Sequence, residues 1–147
     1  MLATRVAAAC IFTPVIFVLV WYGGWPLSAA LAALCLLMQW EFQKLTLPDA
    51  GRAYHGVGYA LTLLLSLATL GMLPPPFVGL LIPGLALAVF TAAMLRPDPI
   101  ETSMRRAALL AMGVVYTGGL LPFLGRLREL PGSGLALGLM ALFCTWG

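Results

Sequence analysis

The sequence predicts an all-α, polytopic membrane protein with five complete transmembrane helices and a truncated sixth. Composition is the first observation behind this fold class: 62% of the 147 residues are hydrophobic and 9% are charged, whereas about 25% of residues are charged in a soluble domain. Patterning is the second. The charges are clustered in short polar stretches, and the apolar runs between them approach the roughly 20 residues that a membrane helix needs.

The first two predicted spans are joined by a tight turn. Val6 to Tyr22 is the first apolar run, and the Gly-Gly-Trp-Pro sequence at 23–26 predicts the turn that follows it. The second span runs from Trp25 to about Trp40, or through Phe42, with tryptophans at both ends as is typical of membrane interfaces. A polar loop is then expected from Glu41 to His55.

The third and fourth predicted spans are separated by a stiff turn of three prolines at 74–76. The third covers Gly56 to Leu73, and the fourth covers Phe77 to Leu95. Pro83, followed by glycine, lies inside the fourth span. Because proline removes a backbone donor, it predicts a kink there.

The fifth predicted helix begins outside the hydrocarbon. Asp98 is expected as its N-cap and Pro99 as its first helical residue. The helix then enters lipid at about Ala107 and leaves it near Leu124. A short polar loop is expected from Gly125 to Gly134.

The last apolar run, Leu135 to Gly147, supplies 13 residues, fewer than the roughly 20 that cross a bilayer. A chain end inside hydrocarbon would leave backbone carbonyls without partners. We therefore expect residues 1–147 to be a single membrane domain that forms the N-terminal part of a longer protein. Gly134 and Gly138 form one GxxxG pattern, which is common by chance and receives little weight.

The distribution of basic residues predicts the orientation. Of the eight lysine and arginine residues, alternating spans place two, Arg126 and Arg128, on one side of the membrane. The other six lie on the opposite side: Arg5, Lys44, Arg52, Arg96, Arg105 and Arg106. This excess predicts that the six-residue side and the N-terminus are cytoplasmic. No basic stripe is interleaved with aromatic residues, so nucleic acid is not an expected partner.

The sequence shows few residues that point to chemistry. It lacks a glycine-rich phosphate loop, an HExxH motif, a CxxC pair and a GxSxG motif. His55, the single histidine, is interpreted as a solvated loop residue. Cys10, Cys35 and Cys144 are isolated in apolar runs and are interpreted as small buried side chains.

Three charged residues are candidates for a functional site. Glu41 follows Trp40 at the membrane boundary, where it either is a solvated carboxylate paired with Lys44 or lines a cytoplasmic polar cavity. Arg105 and Arg106 either anchor a helix at the membrane surface or contact an anionic lipid headgroup.

A series of landmarks follows in a characteristic order: Leu2 to Val6, Trp21 to Gly24, Trp40 to Phe42, Gly113 to Tyr116, Leu127 to Gly132, and Thr145 to Gly147. In this order the chain resembles the N-terminal half of bacterial phosphatidate cytidylyltransferase, also called CDP-diglyceride synthase. The resemblance covers essentially the whole chain.

The resemblance implies a transferase of phospholipid synthesis in the bacterial inner membrane. Its substrates would be CTP and phosphatidic acid, its products CDP-diacylglycerol and pyrophosphate, and its expected cofactor Mg²⁺. In the family, an acidic Asp-x-Gly-Ala-Tyr stretch follows the equivalent of Thr145 and Trp146, and the signature lies later still. Neither is in this sequence, so no catalytic or metal-binding residue is carried over, and the fragment alone is expected to be inactive.

Two alternatives stay open beside the transferase. One is a multi-pass transporter subunit, since prolines interrupt the spans as they do in transporters. The other is a non-catalytic membrane assembly protein, which suits the small residues of the spans. Membrane lipid is a partner in each case, and a homo-oligomer is compatible with all three.

Overall fold

The computed structural model describes residues 14–94 and 99–146, and the regular structure in these ranges is helical throughout. This confirms the all-α fold class. In chain order the elements are α1 over 14–22, α2 (Gly24–Thr46), α3 (Arg52–Thr69), α4 (Pro75–Met94), α5 (Ile100–Val114), a π-helical turn (Val115–Leu120), α6 (Phe123–Arg128) and α7 (Gly134–Trp146).

Three helical stretches of the described chain are long and apolar enough to cross a membrane. They are Gly24–Thr46, Pro75–Met94 and the continuous stretch Ile100–Arg128, which supports a membrane protein. α3 is not among them. It packs against α4, α5 and the π-helical turn, and its buried face carries the hydroxyls of Thr62 and Ser66. Protein, not lipid, covers that face, so α3 needs less apolar surface.

The chain divides into two compact units, described here over 14–30 with 124–146 (unit 1) and over 31–94 with 99–123 (unit 2). Unit 2 has an apolar core in which α3, α4 and α5 meet the loop after α2. The buried residues of that core are Leu47, Ala50, Tyr54, Val89, Ala92, Ala93, Ala107, Leu110 and Val114.

The glycine turn between the first two spans is confirmed. Gly23 and Gly24 have φ of 65° and 63°, a left-handed conformation that glycine adopts without steric cost. Gly23 N donates to Leu19 O at 2.9 Å and closes α1. Residues 6–13 of the predicted first span lie outside the described residues, as do Arg5 and Cys10.

The predicted polar loop from Glu41 to His55 is wrong in most of its length. α2 continues to Thr46 and α3 begins at Arg52, which leaves a loop of 47–51. Some polar side chains of this region are hydrogen-bonded within a helix. Thr46 Oγ1 donates to Phe42 O at 2.7 Å, so this hydroxyl closes on its own helix.

Three other boundaries also differ from the prediction. Residues 125–128 are helical and belong to α6, not to the predicted 125–134 loop. The N-cap of α5 is Pro99, one position after the predicted Asp98, so the helix begins at Ile100; Asp98 and Arg96 lie outside the described residues. α3 begins and ends four residues before the predicted third span, Gly56 to Leu73. Of the cysteines, Cys35 is buried as predicted, whereas Cys144 is exposed.

Candidate functional site

Basic and polar side chains gather at the end of unit 2 where α2 gives way to α3. Two cavities open there, and both include Pro48 of the connecting loop. The first, the arginine cavity, has a volume of about 320 Å³ and is formed by the loop and the first turns of α5. Its lining residues are Leu45, Thr46, Leu47, Pro48, Asp49, Ala50, Thr102, Arg105, Arg106 and Leu109.

The second cavity, the α2–α3 cavity, has a volume of about 430 Å³. It is lined by Trp40, Lys44, Pro48, Arg52, His55 and Tyr59. Lys44 Nζ lies 5.2 Å from the centroid of the Trp40 ring, a cation–π distance. Both volumes are in or near the range of about 300–1,000 Å³ that is usual for small-ligand sites.

The charges in these two cavities favour an anionic ligand. Four of the lining residues are cationic, and one, Asp49, is a carboxylate. Tyr54 lies nearby in the core of unit 2, where burial raises the pKa of its phenol while the positive charge of Arg106 acts in the opposite direction. Arg106 therefore acts electrostatically on the core as well as on the cavity.

His55 is not a solvated loop residue, so that prediction is wrong. It lies in the first turn of α3 and is half-buried. Its Nδ1 is 2.8 Å from Oε1 of Gln43, and Gln43 Nε2 faces His55 O at 3.5 Å. Because Gln43 is only 1% exposed, this pair joins the end of α2 to the start of α3 and fixes the wall of the α2–α3 cavity.

Below the cavities, neutral polar side chains connect the helices of unit 2. We define the polar seam as Gln39, Gln43, Thr62 and Thr117, all of them buried. Thr117 Oγ1 lies 2.9 Å from Gln39 Oε1 and 2.8 Å from Gly113 O. Three glycines give the seam its room, because a Cβ at Gly58 would meet Gln43, one at Gly113 would meet Phe42 and Gln39, and one at Gly118 would meet the backbone of Thr62.

The hydroxyl of Thr117 links Gln39 to the backbone of α5. A hydroxyl has one proton, so Thr117 Oγ1 donates it either to Gln39 Oε1 or to Gly113 O. Gln39 Nε2 and Thr62 Oγ1 are buried and have no hydrogen-bond partner among the described residues.

The polar seam was not predicted from the sequence, although a signal was present. Gln39 and Gln43 are four residues apart, so they lie on one face of α2. The π-helical turn carries Thr117 and Gly118, and such turns occur often at functional positions. Nothing in the local sequence at Val115–Leu120 distinguishes a π turn from an α turn.

The three predicted site residues are placed differently from one another. Arg105 and Arg106 line the same cavity. Glu41 is exposed on α2 and lines neither of the two cavities described above, so its role stays a prediction. Among the described residues, no three histidine, cysteine or carboxylate side chains are grouped so that they could hold a metal ion.

Comparison with known proteins identifies the family of this chain. Residues 3–147 match the cytidylyltransferase family. No curated protein and no solved structure matches the chain. Because the match covers nearly the whole sequence, the chain belongs to the cytidylyltransferase family, a family of nucleotidyltransferases that use CTP.

Proposed function

We propose that this chain is the N-terminal membrane scaffold of a CTP:phosphatidate cytidylyltransferase. The enzyme would join CTP to phosphatidic acid and release CDP-diacylglycerol and pyrophosphate. The observation that carries the proposal is the arginine cavity. In a member of a CTP-using family, this cavity is lined by Arg105 and Arg106, which lie near the start of a membrane-length helical stretch.

The position of the arginine cavity suits a reaction between a lipid and a soluble nucleotide. A phosphatidate oxygen would attack the α-phosphorus of CTP, the new P–O bond would form, and the bond to the β-phosphate oxygen would break, with pyrophosphate as the leaving group. Guanidinium groups bind phosphate oxygens through paired hydrogen bonds. Arg105 and Arg106 would therefore hold the phosphatidate headgroup and offset its negative charge.

The topology belongs to the same proposal. Five complete spans and the start of a sixth would lie in the bacterial inner membrane, with the N-terminus in the cytoplasm. The contacts in unit 2 support the location of four basic residues on one side of the membrane. Lys44 and Arg52 flank the loop at 47–51, and Arg105 and Arg106 line the cavity that this loop helps to form. CTP is cytoplasmic, so the basic end of unit 2 would face its substrate.

The expected Mg²⁺ would supply charge neutralisation at the phosphates when bound. The described residues include no group of three histidine, cysteine or carboxylate side chains, and we assign no metal ligand among them. By resemblance, the acidic stretch that follows the equivalent of Thr145 and Trp146 in the longer family enzyme would provide the ligands.

Membership of a CTP-using family favours the transferase over the transporter subunit and the assembly protein. The main test uses the protein purified from its native membrane. Its intact mass is measured first, and its CTP-dependent turnover of phosphatidate is measured next. A mass well above 15.6 kDa would support the scaffold proposal. A protein of 15.6 kDa without turnover would contradict it.

Substitution of the arginines tests the site itself. Arg105→Gln and Arg106→Gln are each expected to lower kcat/KM for phosphatidate by tenfold or more, since a hydrogen bond to a charged group contributes about 1.5–3 kcal/mol. Arg126→Gln is the matched control because this arginine is exposed on α6. An equal loss in the control, or none in the pair, would contradict the assignment.

Glu41→Gln tests the third candidate in the same assay. If Glu41 faces the reacting phosphates in the longer enzyme, turnover of CTP falls while the yield of membrane protein stays constant. Unchanged turnover would assign Glu41 to the solvated end of α2 instead, in agreement with its exposure here.

A further inference from the structure

We propose that the α2–α3 cavity binds the headgroup of a resident acidic phospholipid, separate from any lipid that is turned over. The arginine cavity and the transferase reaction are not needed for this inference. It depends on three properties of the α2–α3 cavity: its charge, the order of its side chains with depth, and the fixed position of its walls.

The charge of the cavity comes from both helices. Lys44 is in the last turn of α2, and Arg52 is the first residue of α3. Both line the cavity together with His55, and none of the six lining residues is a carboxylate. Two permanent positive charges in a concave site without a carboxylate are complementary to a phosphate group.

The order of side chains with depth indicates an amphiphile and not a soluble anion. One turn away from the loop, Trp40 lies four residues before Lys44 on α2, and Tyr59 lies four residues after His55 on α3; both line the cavity. A further turn away, Leu37 and Leu63 continue the same helix faces and are 60% and 37% exposed.

Cationic, aromatic and aliphatic side chains thus follow one another along two neighbouring helices. This is the sequence of environments that a phospholipid meets at a membrane interface, from headgroup through the interfacial belt to acyl chain. A free phosphate or a nucleotide would use only the cationic end. The exposed leucines would then have no ligand-related role.

The walls of the cavity are fixed before a ligand arrives. His55 is hydrogen-bonded to the buried Gln43 at 2.8 Å, and the Trp40 ring lies against Lys44 Nζ at 5.2 Å. A site whose side chains are already ordered loses less conformational entropy on binding. At about 430 Å³, the cavity has room for a phosphodiester headgroup.

The test is lipid binding by the full-length protein, delipidated in mild detergent and titrated with phosphatidylglycerol or phosphatidylcholine. Native mass spectrometry counts the lipids bound at each concentration. We expect wild-type protein to bind phosphatidylglycerol more tightly than phosphatidylcholine. The double variant Lys44→Gln, Arg52→Gln should lose roughly thirtyfold in affinity for phosphatidylglycerol, because two basic residues near an acidic headgroup are removed.

The matched control removes an exposed charge that belongs to neither cavity. Arg126→Gln should leave phosphatidylglycerol binding within about twofold of wild type, since this residue lines neither cavity. An equal loss in Arg126→Gln and in the single variants Lys44→Gln and Arg52→Gln would show a general charge effect and overturn the proposal. Equal affinity for the two lipids would overturn it as well.

Two further measurements test whether the ligand is a lipid and whether charge determines its binding. Inorganic phosphate should not displace the lipid at millimolar concentration; displacement would indicate a soluble-anion site and overturn the lipid assignment. Lys44→Arg, which keeps the charge, should retain wild-type affinity. If the double variant fails to fold, the single variants Lys44→Gln and Arg52→Gln are compared, and unchanged binding in both overturns the proposal.

Discussion

The two units use opposite kinds of hydrogen bond to connect their helices. In unit 1, a charged side chain binds backbone carbonyls at the end of a helix. In unit 2, neutral amides and hydroxyls bind one another along the sides of helices. The difference follows the position of each contact. A charge near a helix end can stay close to water, whereas a charge among the middle turns of apolar helices is costly.

Arg128 provides the charged contact of unit 1. Its Nε donates to Val20 O at 2.7 Å and its Nη2 to Trp21 O at 3.1 Å. These carbonyls belong to the last turn of α1, where they have no intrahelical donor, and a cation there also complements the helix dipole.

The glycines of α7 make room for that arginine. A Cβ at Gly134 would meet the backbone of Arg128, and one at Gly138 would approach Val20 Cγ1 to 3.4 Å. The GxxxG pattern that received little weight in the sequence analysis is therefore a packing feature within unit 1. Its partner is another segment of the same chain.

Removal of the charged contact of unit 1 is expected to have the largest effect on stability. Arg128→Met deletes two charge-assisted hydrogen bonds and should lower the free energy of unfolding by about 3 kcal/mol, as measured by SDS titration in mixed micelles. Arg126→Met, on the same helix and exposed, should cost under about 1 kcal/mol. Similar losses in the two variants would contradict a specific role for Arg128.

Crowding of the polar seam should have the next largest effect. Gly118→Ala would place Cβ 2.8 Å from Thr62 O, a backbone atom that cannot move cheaply, so we expect a loss of about 2 kcal/mol. The neighbouring Gly119→Ala is the matched control because its nearest contact, Leu65 Cδ2, is at 3.6 Å. Apparent Tm in detergent should fall for the first variant and stay constant or rise for the second. Equal shifts would contradict the close approach of α3 and the π-helical turn.

Loss of one partner within the polar seam should have the smallest effect. Thr117→Val removes the hydroxyl that donates to Gln39 Oε1 and should cost about 1.5 kcal/mol. The double variant Thr117→Val, Gln39→Leu should be more stable than the sum of the single losses predicts, because it leaves no unpaired amide. The same unfolding titration measures all three variants. Strict additivity would mean that these two side chains do not interact.

Composition was sufficient to predict the all-α membrane class, because a low charge content leaves few other folds. The positions of helix ends were less predictable. Polar residues between Glu41 and His55 suggested a loop. The hydrogen bonds of Gln43, Thr46 and His55 are instead made within a helix or between two helices. Single-sequence patterns record which residues are polar but do not record where their partners lie.

The candidate site shows the same limit. Arg105 and Arg106 could be identified because two adjacent arginines at a helix entry are conspicuous in an apolar chain. The opposing wall of the arginine cavity at 47–50 and the α2–α3 cavity could not be identified from the sequence. They depend on how the loop packs against α5 and on which residues of α2 and α3 come together. Single residues such as Lys44 and His55 can be recognised as parts of a site only when the fold brings them together.

The hydrogen bonds between Gln43 and His55 determine which edge of the imidazole ring the cavity presents. With Gln43 Nε2 directed at His55 O, Oε1 accepts from Nδ1. Nδ1 is thus engaged with a buried amide, and Nε2 is the ring nitrogen that can contact a ligand beside Lys44 and Arg52. A pair of side chains that joins two helices therefore also sets the direction in which the cavity recognises its ligand.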